Sequence, residues 1–455
     1  MIASARRAGG DLWFRQAICL VCLVLPLPLA AQDDVKEAAG SPAIATSPGV
    51  ITRIEFSGNR VTQPQILLQE MLVKEGDSAD PALIERSRQA IMDLGLFTSV
   101  LAVVEPGDDG SVLRILVKEK YYILPVPKLN RDEDNNNISI GAEISLDNLA
   151  GLNQQLKIKY ETDNATGLSG GQIDTHSLSY NYPRVLGSAY LFRTEISQQR
   201  LPVEVVSGSV LSSLYEKEAW IASLQLSRWL NRTGSSVGWQ VGGGMVWRRN
   251  NYDYVSETTT DTFQDAQAVG LTAHGQFIDV RDYLFSRQGL EYGYNGEFGA
   301  PVLGSDTRYT RHEFFYRKYI LLEGRPHENI DLQARFGLSS GDIFPGDSSA
   351  YSVGGSRTLR GYASGSFPGN AFVLFNVQYL RPFFGYYPLR GALFLDVGNA
   401  YPSNEEINLG DLKWSVGIGF RLRLKSFVKI DLRVDAAYAY DTGEYKFFAG
   451  TREVF

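Results

Sequence analysis

The spacing of apolar residues changes once along the chain, from helical periodicity to strict alternation. Residues 50–122 show both spacings, whereas from residue 123 onward short alternating runs are separated by Gly, Asn, Asp and Ser clusters. The clearest runs are 156–160, 190–196, 221–226, 372–379, 420–424 and 430–434. The pattern predicts a small α/β domain over 50–122 and a mainly β, antiparallel region over 123–455.

The α/β region predicts the element order β-α-α-β-β. A first strand closes at the turn pair Gly58-Asn59, and Pro64 suits the start of a first helix. A second helix is expected to begin with Asp80 as N-cap and Pro81 in its first turn. Its apolar face would carry Leu83, Ser87, Ala90, Ile91 and Leu94. Two alternating runs, 100–104 and 113–117, follow as strands.

The β region has the length and composition of a transmembrane barrel. Five of the six tryptophans lie after residue 200, as aromatic girdles require. Roughly sixteen strands fit at ~10 residues per spanning strand, and about twelve or fourteen would fit with longer loops. The first strand is expected at 138–145 and the last at 445–455. A soluble β-sandwich is the alternative. The aromatic content, the export features described next and the C-terminal Phe455 favour the barrel.

The first 31 residues have the three regions of a secretory signal peptide. Arg6, Arg7 and Arg15 precede or flank an apolar run of ~13 residues, which is shorter than the ~20 that span a membrane. A polar linker is expected over 32–49. Cys19 and Cys22 both fall in the signal segment, so the mature chain is expected to contain no cysteine.

Charge and motif searches favour no enzyme, metal site, cofactor or nucleic-acid partner. The formal net charge is −7 and no basic stripe is present. The string 337–341 matches a nucleophile elbow but lacks the helix that must follow it. A calcium-loop string lacks its central glycine, and the four histidines have no ligand spacing. The calcium string consists of Asp132, Asp134, Asn136 and Glu143, and the histidines are His176, His274, His312 and His327.

Two strings in the β region are specific enough to suggest a site. One spans 354–362 and has Arg-Gly-aromatic at its end, and the other spans 394–399. The alternation of the second places Leu393 and Leu395 on one face and Phe394, Asp396 and Gly398 on the other. In a barrel the aliphatic face meets lipid, so the carboxylate is expected in the lumen. The residues of the first string that we single out are Gly354, Gly355, Leu359, Arg360, Gly361 and Tyr362.

These strings resemble motifs of the BamA/TamA-like outer-membrane insertase and translocase superfamily. Residues 50–122 resemble a single polypeptide-transport-associated (POTRA) domain, with matches at Gly58, Asn59, Gly95 and Phe97. The first string resembles the extracellular loop that folds into the lumen, and the second its partner on the wall. The resemblance, together with the need of a lumenal carboxylate for a charged partner, predicts a contact between Arg360 and Asp396.

Three further segments resemble the same family. Residues 146–151 resemble its turn after the first barrel strand, and 180–183 an early strand that ends in aromatic-Pro. Phe447 and Phe455 resemble the C-terminal assembly signal of outer-membrane proteins. Thr451 and Glu453 depart from that signal, because they occupy positions that are usually apolar, so the register of the last strand stays open.

The resemblance implies a location in the outer membrane of a Gram-negative-type envelope, with the POTRA domain in the periplasm. It implies insertion of proteins into that membrane, or their passage across it. The route would be strand pairing at a POTRA edge near 99–105 and at the barrel seam, where the first and last barrel strands meet. The partners would be outer-membrane lipid, unfolded outer-membrane or secreted polypeptides, and periplasmic accessory proteins. Two alternatives stay open, a two-partner-secretion-type exporter of one dedicated client and a passive channel.

Overall fold

The computed structural model describes residues 49–132, 137–164, 172–207, 210–231, 237–257, 263–346, 349–428 and 431–450. Several expectations concern residues outside these ranges. They are the signal peptide, all but the last residue of the linker, the end of the last strand with Thr451, Glu453 and Phe455, and two members of the calcium string, Asp134 and Asn136.

The N-terminal domain is a three-stranded sheet with two helices. Its elements are β1 (Ile51–Ser57), α1 (Pro64–Glu70), α2 (Pro81–Met92), β2 (Phe97–Gly107) and β3 (Gly110–Glu119). The strand β3 is central, parallel to β1 and antiparallel to β2. The predicted order β-α-α-β-β is therefore confirmed, and both β1 and β2 are edge strands.

The helix α2 begins as its sequence predicts and packs with one face on the domain core. The Asp80 side chain accepts the N–H of Ala82 at 2.9 Å, and Pro81 occupies the first turn. The Ser87 hydroxyl accepts the N–H of Val73 at 3.0 Å. The predicted face omitted Ile84, which is fully buried. None of the described helices is long and apolar enough to cross a membrane.

From residue 123 onward the described residues form strands joined by loops. The strands are β4 (Ile123–Asp132), β5 (Asn137–Leu149), β6 (Gln154–Asn164), β7 (Gln172–Tyr182), β8 (Tyr190–Ser207), β9 (Val210–Trp229), β10 (Val237–Glu257), β11 (Ala266–Asp282), β12 (Arg287–Gly299), β13 (Tyr309–Leu321), β14 (Asn329–Ser340), β15 (Tyr351–Val353), β16 (Phe367–Gly369), β17 (Ala371–Phe383), β18 (Tyr386–Tyr401), β19 (Lys413–Arg423), β20 (Asp431–Ala439) and β21 (Tyr445–Gly450). Single 3-10 turns lie at Val185–Gly187, Pro301–Leu303, Asn404–Glu406 and Leu409–Asp411.

Sixteen of these strands form one antiparallel sheet, which confirms the predicted architecture. Each strand pairs with its neighbour in the chain, except that β14 pairs with β17 across an insertion. The insertion contains the separate hairpin of β15 and β16. The strands β4 and β21 stand at the two ends of the sheet and lie next to each other, so the sheet curls into a barrel.

The wall alternates as expected for a barrel in lipid, and β18 shows the pattern. Leu393 is 59% exposed, whereas Phe394 beside it is only 2% exposed and Asp396 is fully buried. Because successive side chains of a strand point to opposite faces, the aliphatic face meets the surroundings and the carboxylate faces the lumen.

The expected position of the first barrel strand was wrong. That strand is β4, at Ile123–Asp132, and the segment expected to be first belongs to the second strand, β5. The turn at 146–151 consequently follows the second strand. Pro125 and Pro127 interrupt the apolar alternation of β4, and proline within a run argues against a strand inside a sheet. The sequence pattern therefore conceals β4.

Candidate functional site: an infolded loop on the barrel wall

The insertion between β14 and β17 packs against the lumenal face of the wall. Its Tyr351 and Val353 are buried, and they contact a cluster that includes Phe372 and Leu374 of β17. These two β17 residues alternate with Phe375, which is 46% exposed on the opposite face. The loop therefore lies inside the barrel, where the resemblance placed it.

Two glycines shape the turn that presents the loop tip. Gly354 has φ of 119° and Gly355 has φ of 96°, a region that other residues rarely adopt. The N–H of Gly355 donates to the carbonyls of Leu359 at 3.1 Å and Tyr362 at 3.0 Å. The turn thereby closes on itself and holds the tip residue between them, Arg360, in one position.

The structure brings Arg360 and Asp396 into direct contact. Arg360 Nε donates to Asp396 Oδ2 at 2.7 Å, and its second terminal nitrogen donates to Oδ1 at 2.6 Å. The backbone N–H of Arg360 also reaches Oδ2, at 3.1 Å. Both side chains are fully buried. The geometry is that of a bidentate, charge-assisted pair, which fixes both distance and orientation.

Two neighbours complete the surroundings of this pair. The side-chain amide of Asn376 donates to Asp396 Oδ1 at 2.8 Å and to the carbonyl of Thr358 at 2.7 Å. The central guanidinium carbon of Arg360 lies 3.5 Å from the ring centroid of Phe394, a cation–π contact. Asn376 thus joins the loop to the wall independently of the arginine.

Gly361 allows the tip to approach the wall closely. Its N–H donates to the Ser415 hydroxyl at 3.1 Å. A Cβ at this position would come within 2.6 Å of Ser415 Cβ and 2.9 Å of the backbone nitrogen of Ala439. Next in the chain, the Tyr362 hydroxyl bonds Asp441 and the carbonyl of Trp414. The strands β19 and β20 and the turn after β20 therefore all contact this short tip.

The residues that hold the tip form one row across the wall. Asn376 pairs with Asp396 between β17 and β18, Asp396 with Ser415 between β18 and β19, and Ser415 with Ala439 of β20. Of these four residues, sequence reasoning singled out only Asp396. Each of the others lies on a lumenal face, but the register between strands, which places them in one row, cannot be obtained from a single alternating pattern.

Comparison with known families agrees with this geometry. Residues 148–447 match the Omp85 superfamily domain, which is more than half of the chain. The chain belongs to the Omp85 superfamily. Residues 49–120 match the surface antigen variable number repeat, the POTRA domain. This Omp85 protein is thus an outer-membrane β-barrel whose N-terminal POTRA domain lies in the periplasm, as in such proteins.

Relatives of the Omp85 chain share either a short stretch of sequence or the fold. It is 40% identical over 91 residues to the outer membrane protein assembly factor BamA of Nitratidesulfovibrio vulgaris, a stretch that is 20% of this chain and 11% of that relative. The chain thus spans about a tenth of the curated relative that it matches.

Two solved structures show the common fold at low sequence identity. The BamA of Haemophilus ducreyi lacking POTRA domains 1–3 is 17% identical, with a TM-score of 0.53 over 88% of this chain and 84% of that one. CdiB of Escherichia coli is 14% identical, with a TM-score of 0.63 over 89% and 77%.

The POTRA motif residues of this Omp85 chain shape turns or pack in the domain core. Gly58 has φ of 90°, and a Cβ there would come within 2.0 Å of the Val117 carbonyl oxygen. The amide of Asn59 donates to the Thr62 carbonyl at 3.1 Å. Gly95, with φ of 74°, follows α2, and Phe97 is fully buried in the domain core.

The carboxylate of Glu119 organises the loop that follows Gly58. It accepts the backbone N–H groups of Arg60 at 3.1 Å, Val61 at 3.0 Å and Thr62 at 2.7 Å. Burial raises the pKa of Glu119, but hydrogen bonds from Thr62, Val61 and Tyr122 outweigh it and hold the pKa below its usual value. The ionised carboxylate therefore stabilises this loop.

The POTRA domain docks on several turns of the barrel rim. Gln63 N–H donates to the Gly151 carbonyl at 3.0 Å, in the turn after β5. Asp93 accepts the N–H of Asp282, the last residue of β11 before its turn, at 3.2 Å. Val428, in the turn after β19, is buried in the POTRA core. A fourth contact joins Arg184, in the turn after β7, to Glu70 at the end of α1, with 2.8 Å between Nε and Oε1.

These four turns are distributed around the whole rim. The widest gap between neighbouring contacts, from the turn after β11 to the turn after β19, contains six of the sixteen strands. Because no gap reaches half of the circumference, the contacts surround the barrel axis. The POTRA domain therefore lies across the periplasmic mouth.

Two of the places where a strand edge has no strand partner among the described residues bear on the predicted strand pairing. One is the outer edge of β2, which contains the predicted segment 99–105. The other is the seam, because no ladder joins β4 to the described part of β21. Phe447 lies in β21 and is 42% exposed. The completion of that strand by Phe455 stays a prediction.

Proposed function

We propose that this Omp85 protein inserts β-barrel polypeptides into the outer membrane, or passes polypeptides across it, by strand addition and without a nucleotide or cofactor. An extended client would pair with the free edge of β2 in the periplasm and then with the seam. Main-chain hydrogen bonds supply the affinity in this mode of recognition, so clients of different sequence are accepted.

The seam, where no ladder joins β4 to the described part of β21, is the observation on which this proposal rests. In hydrocarbon, an unpaired backbone N–H or C=O costs several kcal/mol, so an open edge at membrane depth favours any strand that can cover it. A client strand that enters there forms backbone hydrogen bonds with the seam strand and at the same time turns one face to lipid. A barrel built only to conduct solutes gains nothing from an open seam.

The occupied lumen also argues against the passive channel. The infolded loop fills the lumenal side of β17 to β19, and the POTRA domain lies across the periplasmic mouth. A diffusing solute would have to pass both. The Arg360 to Asp396 pair, being buried and bidentate, holds the loop in that position.

Depletion of the protein in its native host, followed by comparison of the outer-membrane and surface proteomes, tests the proposal. Loss of many barrel proteins supports insertion, and loss of one surface or secreted product supports export of a dedicated client. A change in solute uptake with both proteomes unchanged contradicts the proposal. Complementation with the unaltered chain must restore the lost proteins.

A further inference from the structure

The turn between β13 and β14 holds a carboxylate on the lipid-facing side of the barrel. The N–H of Leu322 donates to the Glu328 carbonyl at 2.9 Å and closes this turn. The Glu328 side chain is only 7% exposed, and it accepts the hydroxyl of Tyr379 and, at 2.9 Å, a terminal nitrogen of Arg325. Tyr379 shares the outward face of β17 with Phe375, so these groups meet on the outside of the wall.

Arg381 is the second guanidinium beside this carboxylate. It lies two residues after Tyr379 on the same face of β17, and its side chain is 70% exposed. Its Nε is 3.9 Å from Glu328 Oε2, too far for a hydrogen bond, and it forms no hydrogen bond with another residue that the structure describes. The donors of this guanidinium are therefore available.

The surface next to Arg381 is open. The residue opposite it in β18 is Gly391, where an added Cβ would come no closer than 3.9 Å to any neighbour. Phe420 of β19 follows Gly391 in the same row and is exposed. The row thus forms a shallow notch on the outside of the wall, with the guanidinium at one end and an aromatic ring at the other.

Exposed aromatic residues place this notch at the depth of lipid headgroups. Phe383 is exposed at the end of β17, and its ring centroid lies 5.6 Å from that of Phe420. In barrels, such aromatic residues form girdles at the boundary between hydrocarbon and headgroups. The turn after β17 lies on the rim on which the POTRA domain docks, because strand direction alternates along the sheet. Arg381 therefore faces the headgroups of the periplasmic leaflet.

The charges of the cluster fit an anion. Arg325 and Arg381 flank the two oxygens of one carboxylate, that of Glu328, so these three side chains together keep one positive charge. Lys318, on the outward face of β13, and Glu323, in the turn, add one charge of each sign. The anion at this depth of a membrane is a lipid phosphate, and guanidinium groups bind phosphate through paired N–H···O bonds.

We propose that Arg325 and Arg381 bind the phosphodiester of an anionic phospholipid in the periplasmic leaflet. Glu328 and Tyr379 position the two guanidinium groups, and the apolar wall above the notch contacts the acyl chains. Phosphatidylglycerol fits better than a zwitterionic lipid, because its headgroup carries no cation for the guanidinium groups to repel. The bound lipid fixes the depth in the membrane of β14 and β17, the strands between which the infolded loop is inserted.

Native mass spectrometry of the full chain in detergent micelles tests this site. Dioleoylphosphatidylglycerol and dioleoylphosphatidylcholine are titrated separately, and the Kd of the first bound lipid is measured. We expect tighter binding of phosphatidylglycerol. Arg325→Gln/Arg381→Gln should weaken it about tenfold, as the loss of charge-assisted hydrogen bonds predicts, and should leave phosphatidylcholine binding unchanged. Arg325→Lys/Arg381→Lys should recover part of the loss, because lysine keeps the charge but not the paired donors.

Arg228→Gln is the matched control. Arg228 is also exposed on the outward face near the periplasmic rim, at the end of β9, but its guanidinium lies over the ring of Tyr190, 5.6 Å from the centroid. Its loss should leave phosphatidylglycerol binding unchanged. In the unaltered chain, phosphatidylglycerol with a photoactivatable diazirine next to its glycerol should label β17 or the turn that follows it, which locates the site without any substitution.

Four results would overturn the proposal. They are equal binding of the two lipids, an unchanged Kd in the Arg325→Gln/Arg381→Gln variant, an equal loss in Arg228→Gln, and photolabelling confined to other strands. Inorganic phosphate supplies a further arm of the test. Displacement of phosphatidylglycerol by millimolar inorganic phosphate would mean that the cluster binds free phosphate and not a lipid, whereas retention of the lipid supports the proposal.

Discussion

Arg184 bonds Glu70 across the boundary between the barrel and the POTRA domain, with 2.8 Å between Nε and Oε1. The same guanidinium donates to the carbonyl of Gln69 at 2.9 Å, so it bonds the last two residues of α1. Glu70 is only 2% exposed and Arg184 is 18% exposed. One side chain in a turn of the rim therefore anchors a helix of the periplasmic domain.

Replacing Arg184 by alanine should loosen the POTRA domain from the rim. The change removes two hydrogen bonds at a buried position, and we expect a local cost of about 1–3 kcal/mol. Hydrogen exchange of the full chain in detergent should show faster exchange in α1 and in the turn after β7. Exchange in β17 and β18, which hold the infolded loop, should stay unchanged.

Arg335→Ala is the matched control for this change. Arg335 bonds Glu313 at 2.9 Å within the wall and is 25% exposed, so its loss removes a comparable guanidinium without touching the POTRA domain. Exchange in α1 should not respond to it. Equal exchange in α1 for Arg184→Ala and the unaltered chain would show that the docking does not depend on this pair.

Breaking the Arg360 to Asp396 pair should release the loop and destabilise the barrel. Removing one partner leaves the other charge buried, which typically costs about 3–5 kcal/mol. Arg360→Ala and Asp396→Ala should each lower the temperature at which the barrel loses its compact band in detergent gels. Arg360→Lys should recover part of the loss, because lysine keeps the charge but not the bidentate geometry.

The double variant of these two residues separates pairing from packing. If the pair acts as a unit, Arg360→Ala/Asp396→Ala should destabilise the barrel less than the sum of the two single changes. Arg335→Ala, which breaks a more exposed pair, should cost about 0–1 kcal/mol. Additive single changes would show that the two side chains contribute independently.

Gly361→Ala should displace the loop tip although it adds only a methyl group. The new Cβ would meet Ser415 Cβ at 2.6 Å and the backbone nitrogen of Ala439 at 2.9 Å, and neither can move without shifting a strand. Gly391→Ala is the control, since its nearest neighbour is 3.9 Å away. We expect protease cleavage within 341–370 to increase only for Gly361→Ala, and equal cleavage of both variants would contradict the tight fit.

The sequence predicted those features that depend on neighbours in the chain. The N-cap of α2, the alternation of β18 and the Arg360 motif are local patterns. In the structure Asp80 caps α2, Asp396 faces the lumen and Arg360 contacts Asp396, as each pattern predicted. Ile84 was not predicted to be buried, because the residues that bury it are distant in the chain. The strand β4 was not predicted, because Pro125 and Pro127 interrupt its apolar alternation. A strand with a free edge tolerates proline, but the sequence does not state in advance which edge is free.

The row formed by Asn376, Asp396, Ser415 and Ala439 could not be predicted for a different reason. Alternation assigns each residue to a face, whereas the row depends on the register among four strands. A shift of one residue in any pairing would move its partner to the lipid face. Only the motif at Asp396 was specific enough to mark one member of the row.

Acid should weaken the POTRA domain through Glu119. Its pKa is lower in the folded chain than its ordinary value, so its stabilising contribution is complete above that value and is lost as the pH falls through the folded pKa. The described α-helices all lie in the POTRA domain, so urea titration of the helical circular dichroism signal reports on it. The urea concentration at the unfolding midpoint should decrease as the pH is lowered from 7 to 4. Glu119→Gln should have a lower midpoint at pH 7, and its midpoint should depend less on pH. Glu105→Gln, which removes an exposed ion pair with Arg114, should keep the pH dependence of the unaltered chain. Parallel pH profiles for Glu119→Gln and the unaltered chain would mean that another group controls the acid response.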